Sequence, residues 1–239
     1  IETKVTPFNP QETPDPESFA RAVIAEIREA GMARRSTILS FDWRTLAIVQ
    51  RDAPEIGTVY LTAQQRWLDN IAADQPAGSA WTNGIQHKEH GSIPRMIKAA
   101  GGRIWSAYYG DLDSAKVKEA RELGIQVLAW TVNTPDDIAR TLDLGVDGIV
   151  TDRPDLVREE MKRRGLPLPP ATHPSRLAPP PTSRPMLGTP IVTLPFASTT
   201  LDTASVTSTF SSVIARPAPG VFCAAASSCL TWAITAAIG

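Results

Sequence analysis

The feature that most constrains the fold is a repeated order of elements. "LDSAKVKEARELGIQVLAWTVN" and then "TPDDIARTLDLGVDGIVTD" each run a helix-period segment, a glycine and a short apolar stretch. Gly124 and Gly145 stand where a helix ends in a left-handed residue, and apolar Ile125 or Val146 follows to pack back on that helix. Thr134, Pro135 and Asp137 form a capped helix start of the T-x-x-D type. Two such units in succession imply a parallel sheet covered by helices.

The alternation extends back to the first residue. Asp15 and Pro16 open a helix whose stripe is Phe19, Val23 and Ile27, stopped at Gly31. "STILSFD" then reads as a strand, "WRTLAIVQRDAP" as a short helix halted before Pro54, and "GTVYLT" as a strand. After a polar stretch around "DQPAGSAWTNGIQHKEHG", "SIPRMIKAAGG" reads as a helix and "RIWSAYY" as a strand. With "IETKV" the count is six strand-like segments, and their even spacing favours a (β/α) barrel over an open doubly wound sheet. No strand is followed by G-x-G-x-x-G, which weighs against dinucleotide binding. A closed barrel of this type needs eight strands. The expectation is therefore an α/β fold, an incomplete TIM (β/α)8-type barrel over residues 1–169 lacking two strands at the N-terminal end, where the sequence starts inside a strand.

Residues 170–239 differ in kind. From Pro167 onward the only charged residues are Arg176, Arg184, Asp202 and Arg216, and 12 of the 21 prolines lie there. No sustained period is visible, so disorder is the default for this Pro/Ser/Thr/Ala-rich tail. Its abrupt onset also fits out-of-frame or non-coding translation joined to a partial gene. The final "VFCAAASSCLTWAITAAIG" is uncharged, but Ala, Ser and Thr dominate it and no basic flank follows, so a membrane span is not expected. Both cysteines, Cys223 and Cys229, fall in the tail, leaving residues 1–169 without a disulfide or a thiolate metal site. A net charge of −1 gives no sign of a nucleic-acid partner or a membrane surface.

In "IETKV", side chains alternate between faces, so Glu2 and Lys4 share one face and Ile1, Thr3 and Val5 the other. The pair is either a solvated salt bridge or a pair of site residues at a strand end. The histidines number three: His87, His90 and His173. The first two lie three apart in the polar stretch and read as exposed loop residues rather than metal ligands.

Taken as ordered blocks, "IETK", "SFDWRTL", "GGRIWS", "LGIQVLAWTVN" and "LGVDGIVTDRPDLV" resemble the glycerophosphodiester phosphodiesterases, which are metal-dependent TIM barrels. The likeness spans Ile1 to about Pro169. It implies hydrolysis of a small-molecule glycerophosphodiester to glycerol 3-phosphate and an alcohol, with a divalent cation, Mg²⁺ or Ca²⁺, as cofactor. It implies that Glu2 is a metal ligand and that Lys4 faces the phosphate. Trp130 would wall the substrate pocket, with Ser40, Phe41 and Asn133 as further pocket candidates and Asp152 as a helix cap. The family's H-R-G and H-D histidines and its E-x-D carboxylates have no counterpart, since the residues after the three histidines are Lys88, Gly91 and Pro174. The expectation is a fragment that is inactive as given, binding a cation weakly if at all. A degenerate barrel serving as a binding module, and a phospholipase-type relative, are the alternatives. The family's exported members suggest a periplasmic or secreted protein, with the cytoplasm as the alternative.

Overall fold

The computed structural model describes residues 1–168 and the strand Phe222–Ala225. Each helix starts where the sequence supplies a cap. α1 (Pro16–Glu29) has Asp15 accepting from the Ser18 backbone N–H, and Pro16 at its first turn. α2 (Trp43–Asp52) follows strand β1 (Thr37–Ser40) directly, its cap Asp42 accepting from the Arg44 N–H. The strand reading of "STILSFD" therefore overruns: Phe41 and Asp42 are the turn into α2, because a buried aspartate satisfies more backbone donors at a helix start than in a strand.

β2 (Gly57–Thr62) leads into a two-stranded antiparallel hairpin, β3 (Gln64–Gln65) and β4 (Leu68–Asp69), which the polarity of the segment conceals. A one-turn helix α3 (His87–His90) and α4 (Ile93–Ala99) precede β5 (Ile104–Tyr108). Then come the repeated units: α5 (Ser114–Glu122), β6 (Gln126–Trp130), α6 (Pro135–Asp143), β7 (Gly148–Thr151) and α7 (Pro154–Arg163). Gly124 and Gly145 both have φ +73°, and Thr134 Oγ1 accepts from the Asp137 N–H, as the repeat implies.

The strand order is β1-β2-β5-β6-β7, parallel throughout, in a curled sheet that makes a half-barrel. Ile1–Thr3 lies beside β1 as its outer neighbour, with the Thr3 N–H donating to Leu39 O and the Leu39 N–H to Ile1 O. At the other edge β8 (Phe222–Ala225) pairs parallel to β7. In the final uncharged stretch the backbone over Phe222–Ala225 is thus a strand, which satisfies unpaired groups along the β7 edge. The remaining readings of the tail, His173 included, lie outside the described residues.

Alternation and register divide the sheet. Ile38, Tyr60, Trp105, Val127, Ala129 and Ile149 face the helices and form the core with α1, α2, α4, α5 and α6, as the edge-to-face contact of Tyr60 with Trp43 of α2 illustrates. The other face is concave and carries Leu39, Leu128 and Trp130, each half-buried. Among the described residues no helix is long and apolar enough to cross a membrane.

Candidate active site

In a parallel barrel, ligands meet the C-terminal strand ends, and the half-barrel collects its candidate side chains there. Thr3 and Val5 are buried while Lys4 is exposed, so the alternation of the first segment holds in the structure. Glu2 and Lys4 point the same way and pair with each other, Lys4 Nζ donating to Glu2 Oε1 at 2.6 Å. The Glu2 side chain is one quarter exposed. Ser40 does not line the concave side: it is fully buried, donates from Oγ to Thr3 O at 2.9 Å and accepts from the Asp42 N–H. Its hydroxyl pins the first segment to the end of β1.

On the same face of the sheet stands a wall of aromatic rings drawn from the ends of β1, β5 and β6. Phe41 follows β1, Tyr108 ends β5 and Trp130 ends β6. The Trp130 ring meets Phe41 with centroids 5.5 Å apart at 82° and Tyr108 at 5.5 Å and 64°. Its indole N–H donates to Ser106 O at 3.0 Å, fixing the ring. Edge-to-face packing of this kind adds about 0.5–1.5 kcal/mol per pair beyond burial.

Asn133 and Asp152 take other positions. Asn133 Oδ1 accepts from Thr151 Oγ1 and from the Asp152 N–H, and its Nδ2 donates to Asp152 Oδ2 at 2.8 Å. The side chain ties the loop after β6 to the end of β7. Asp152 is therefore not the cap of α7. That position belongs to Arg153, whose N–H donates to Thr151 Oγ1, because the Asp152 carboxylate is drawn to Asn133 instead. His87 and His90 lie on α3 and are half-buried rather than exposed loop residues, since Gly91 at φ +76° closes that turn, its N–H donating to His87 O.

Three further residues arrange the site and escaped sequence reasoning. Asn70 is fully buried; its Nδ2 donates to Phe41 O and Leu61 O, and its Oδ1 accepts from the Ala63 N–H. It thereby locks the turn after β1 to the end of β2. Trp67, at the hairpin turn, reaches Tyr108 and Trp130, and Asp111 accepts from the hairpin at Gln64 and Gln65. An isolated polar or aromatic residue in a long connection carries no periodic signal, but an aromatic beside strand-end loops is the clue that was present.

Among the described residues no group of three His, Cys, Asp or Glu side chains could hold a metal ion. Glu2 is a single carboxylate already neutralised by Lys4, whereas divalent cations take several oxygen ligands. The described residues do not fit a metal centre. A cleft of about 440 Å³ lined by Asp15, Glu17, Arg44, Ile48, Arg51 and Asn83 lies on the helix side, and its charges pair with carboxylates of α1, α2 and the α2 cap.

Comparison with known proteins points to one family. The model of the Glycerophosphoryl diester phosphodiesterase family matches residues 1–156. The Mycobacterium tuberculosis protein named probable glycerophosphodiester phosphodiesterase 2 is 49% identical over 51 residues, covering 21% of this chain and 19% of that protein. The Arabidopsis thaliana glycerophosphodiester phosphodiesterase GDPD4 is 32% identical over 72 residues, covering 30% and 22% respectively. The crystal structure of a Silicibacter pomeroyi protein named putative glycerophosphoryl diester phosphodiesterase superposes with a TM-score of 0.54 at 34% identity over 69% of this chain and 50% of that one. A Parabacteroides distasonis enzyme superposes at 0.50 with 21% identity, which speaks to the fold alone. The matched region spans about a fifth of those curated relatives and about half of those solved chains.

Proposed function

The chain belongs to the glycerophosphoryl diester phosphodiesterase family, and from that premise we propose that its half-barrel handles a glycerophosphodiester at the C-terminal strand ends. In the complete activity this substrate class is split into glycerol 3-phosphate and an alcohol. One observation carries the reading. By register, Glu2 and Lys4 share the concave side with Tyr108 and Trp130, and the Phe41 ring packs on Trp130.

The roles follow from the chemistry of these side chains. The Lys4 ammonium is exposed and cationic, so a phosphodiester anion can displace Glu2 from it or share it. Glu2 holds the ammonium at the strand end while no anion is bound. The rings exclude water from one side of the diester, which strengthens the attraction between phosphate and ammonium. No general acid or base is assigned: His87 and His90 lie on α3, in the connection between β4 and α4 rather than at a strand end.

We therefore read these 239 residues as binding a glycerophosphodiester without turning it over. The test incubates the purified chain with sn-glycero-3-phosphocholine and either Mg²⁺ or Ca²⁺, and follows glycerol 3-phosphate by a coupled dehydrogenase. The expected result is no release above the protein-free control, with binding detectable by NMR titration and weakened in Lys4→Ala. Turnover that survives repurification would overturn the inactivity, and binding indifferent to Lys4 would overturn the site.

A further inference from the structure

The hairpin β3–β4 carries a residue for which the phosphodiester reading has no use. Trp67 sits at its turn and is 59% exposed, yet its ring lies 5.5 Å from Tyr108 at 82° and 6.0 Å from Trp130 at 76°. It extends the aromatic wall outward from the strand ends. Loops at this end of a parallel sheet are where contacts to ligands are made, and a large indole exposed there has a surface to offer.

Two ladder pairs are too few for a hairpin to hold itself in place. The Asp111 carboxylate, in the turn after β5, does so from outside. It accepts from the Gln64 N–H at 2.8 Å and from Gln65 Nε2 at 2.6 Å. Lys116 Nζ in turn donates to Asp111 O at 2.6 Å, anchoring the carboxylate's own turn to α5. On the second arm, Asp69 Oδ1 accepts from the N–H groups of Ile71 and Ala72. The position of Trp67 is thus set by a bond across elements 46 residues apart in sequence.

Resting on the phosphodiester reading, we infer that Trp67 is a specificity-determining residue of this site, that Asp111 positions it, and that the alcohol they select carries a quaternary ammonium group. The π faces of Trp67, Tyr108 and Trp130 attract a weakly hydrated cation. The two indoles offer no acceptors to a polyol, whose hydroxyls would lose water against them without replacement.

The test titrates the full chain with sn-glycero-3-phosphocholine and, separately, with glycerol 3-phosphate, which lacks the ammonium. Trp67→Ala should weaken the choline diester about two- to fivefold, the range of an exposed cation–π contact, and leave glycerol 3-phosphate unchanged. Asp111→Ala should do the same and also reduce the near-ultraviolet circular dichroism of the Trp67–Tyr108–Trp130 group. Equal effects on both ligands, or none on the choline diester, overturn the inference and leave the phosphodiester reading standing. Failure of the unmodified chain to bind either ligand removes both. Unchanged near-ultraviolet dichroism in Asp111→Ala overturns the positioning role.

Discussion

At the scale of the residue, the proposed site is held in shape by buried amides and carboxylates set behind the groups on its concave side. Asn70 satisfies two carbonyls and one N–H in a fully buried position, and no other group reaches all three from one point. Replacing it with alanine takes this partner from the Ala63 N–H and from Phe41 O, while Leu61 O keeps the Trp43 indole N–H. Asn70→Ala should cost about 2–3 kcal/mol, since each buried orphan costs about 1–3 kcal/mol and some relaxation follows. Denaturant unfolding at neutral pH checks this, and a loss below about 0.5 kcal/mol would show that water enters to replace the amide. Glu2 and Lys4 were legible in the sequence because alternation along a strand is a local rule. Asn70 and Asp111 were not, because their partners lie up to 29 and 47 residues away and nothing in a linear pattern announces them.

At the scale of the element, the repeated unit was legible for the same local reason: caps and glycines act within one turn. "GGR" before β5 shows where that logic stops. A Cβ on Gly102 would stand 2.5 Å from Ile97 Cγ2 and 2.6 Å from Tyr60 Cε2, so this glycine is required by a neighbouring strand and helix rather than by its own φ. The packing of α6 against α7 yields a pH prediction. Arg163 and Arg164 both bond Glu160, and Arg164 also reaches Asp143 and Ala139 O on α6. Those bonds, Arg163 first and Arg164 second, hold the Glu160 carboxyl down at about 2 against an ordinary 4.5. A carboxyl depressed in the folded state stabilises above its unfolded value and loses that contribution as pH falls through the folded one. Stability should therefore decline between pH 4.5 and about 2. Glu160→Gln should flatten that decline, as followed by thermal melts across the range. An unchanged slope would mean that water screens the pair in solution.

At the scale of the whole molecule, a curled parallel sheet with one face on helices and the other concave divides stability from ligand contact. The core of the described residues runs from Ala20 to Met161 and lies on the helix side, while the concave side carries Leu39, Leu128, Trp130 and the Glu2–Lys4 pair. Among the described residues, every member of that core precedes Pro169. Deleting residues 170–239 should therefore keep a cooperative thermal transition, with the midpoint within about 4 °C, a change of roughly 1 kcal/mol for a domain this size. The same deletion removes β8 from the edge of β7 and leaves four residues, Gly148–Thr151, with unpaired backbone groups on that side. An exposed parallel edge is a template for another chain. The shortened protein should accordingly associate more strongly with rising concentration than the full chain, as sedimentation velocity would show. Loss of the cooperative transition would place part of the core beyond Pro169, and equal association of the two chains would mean that β8 does not cover the edge in solution.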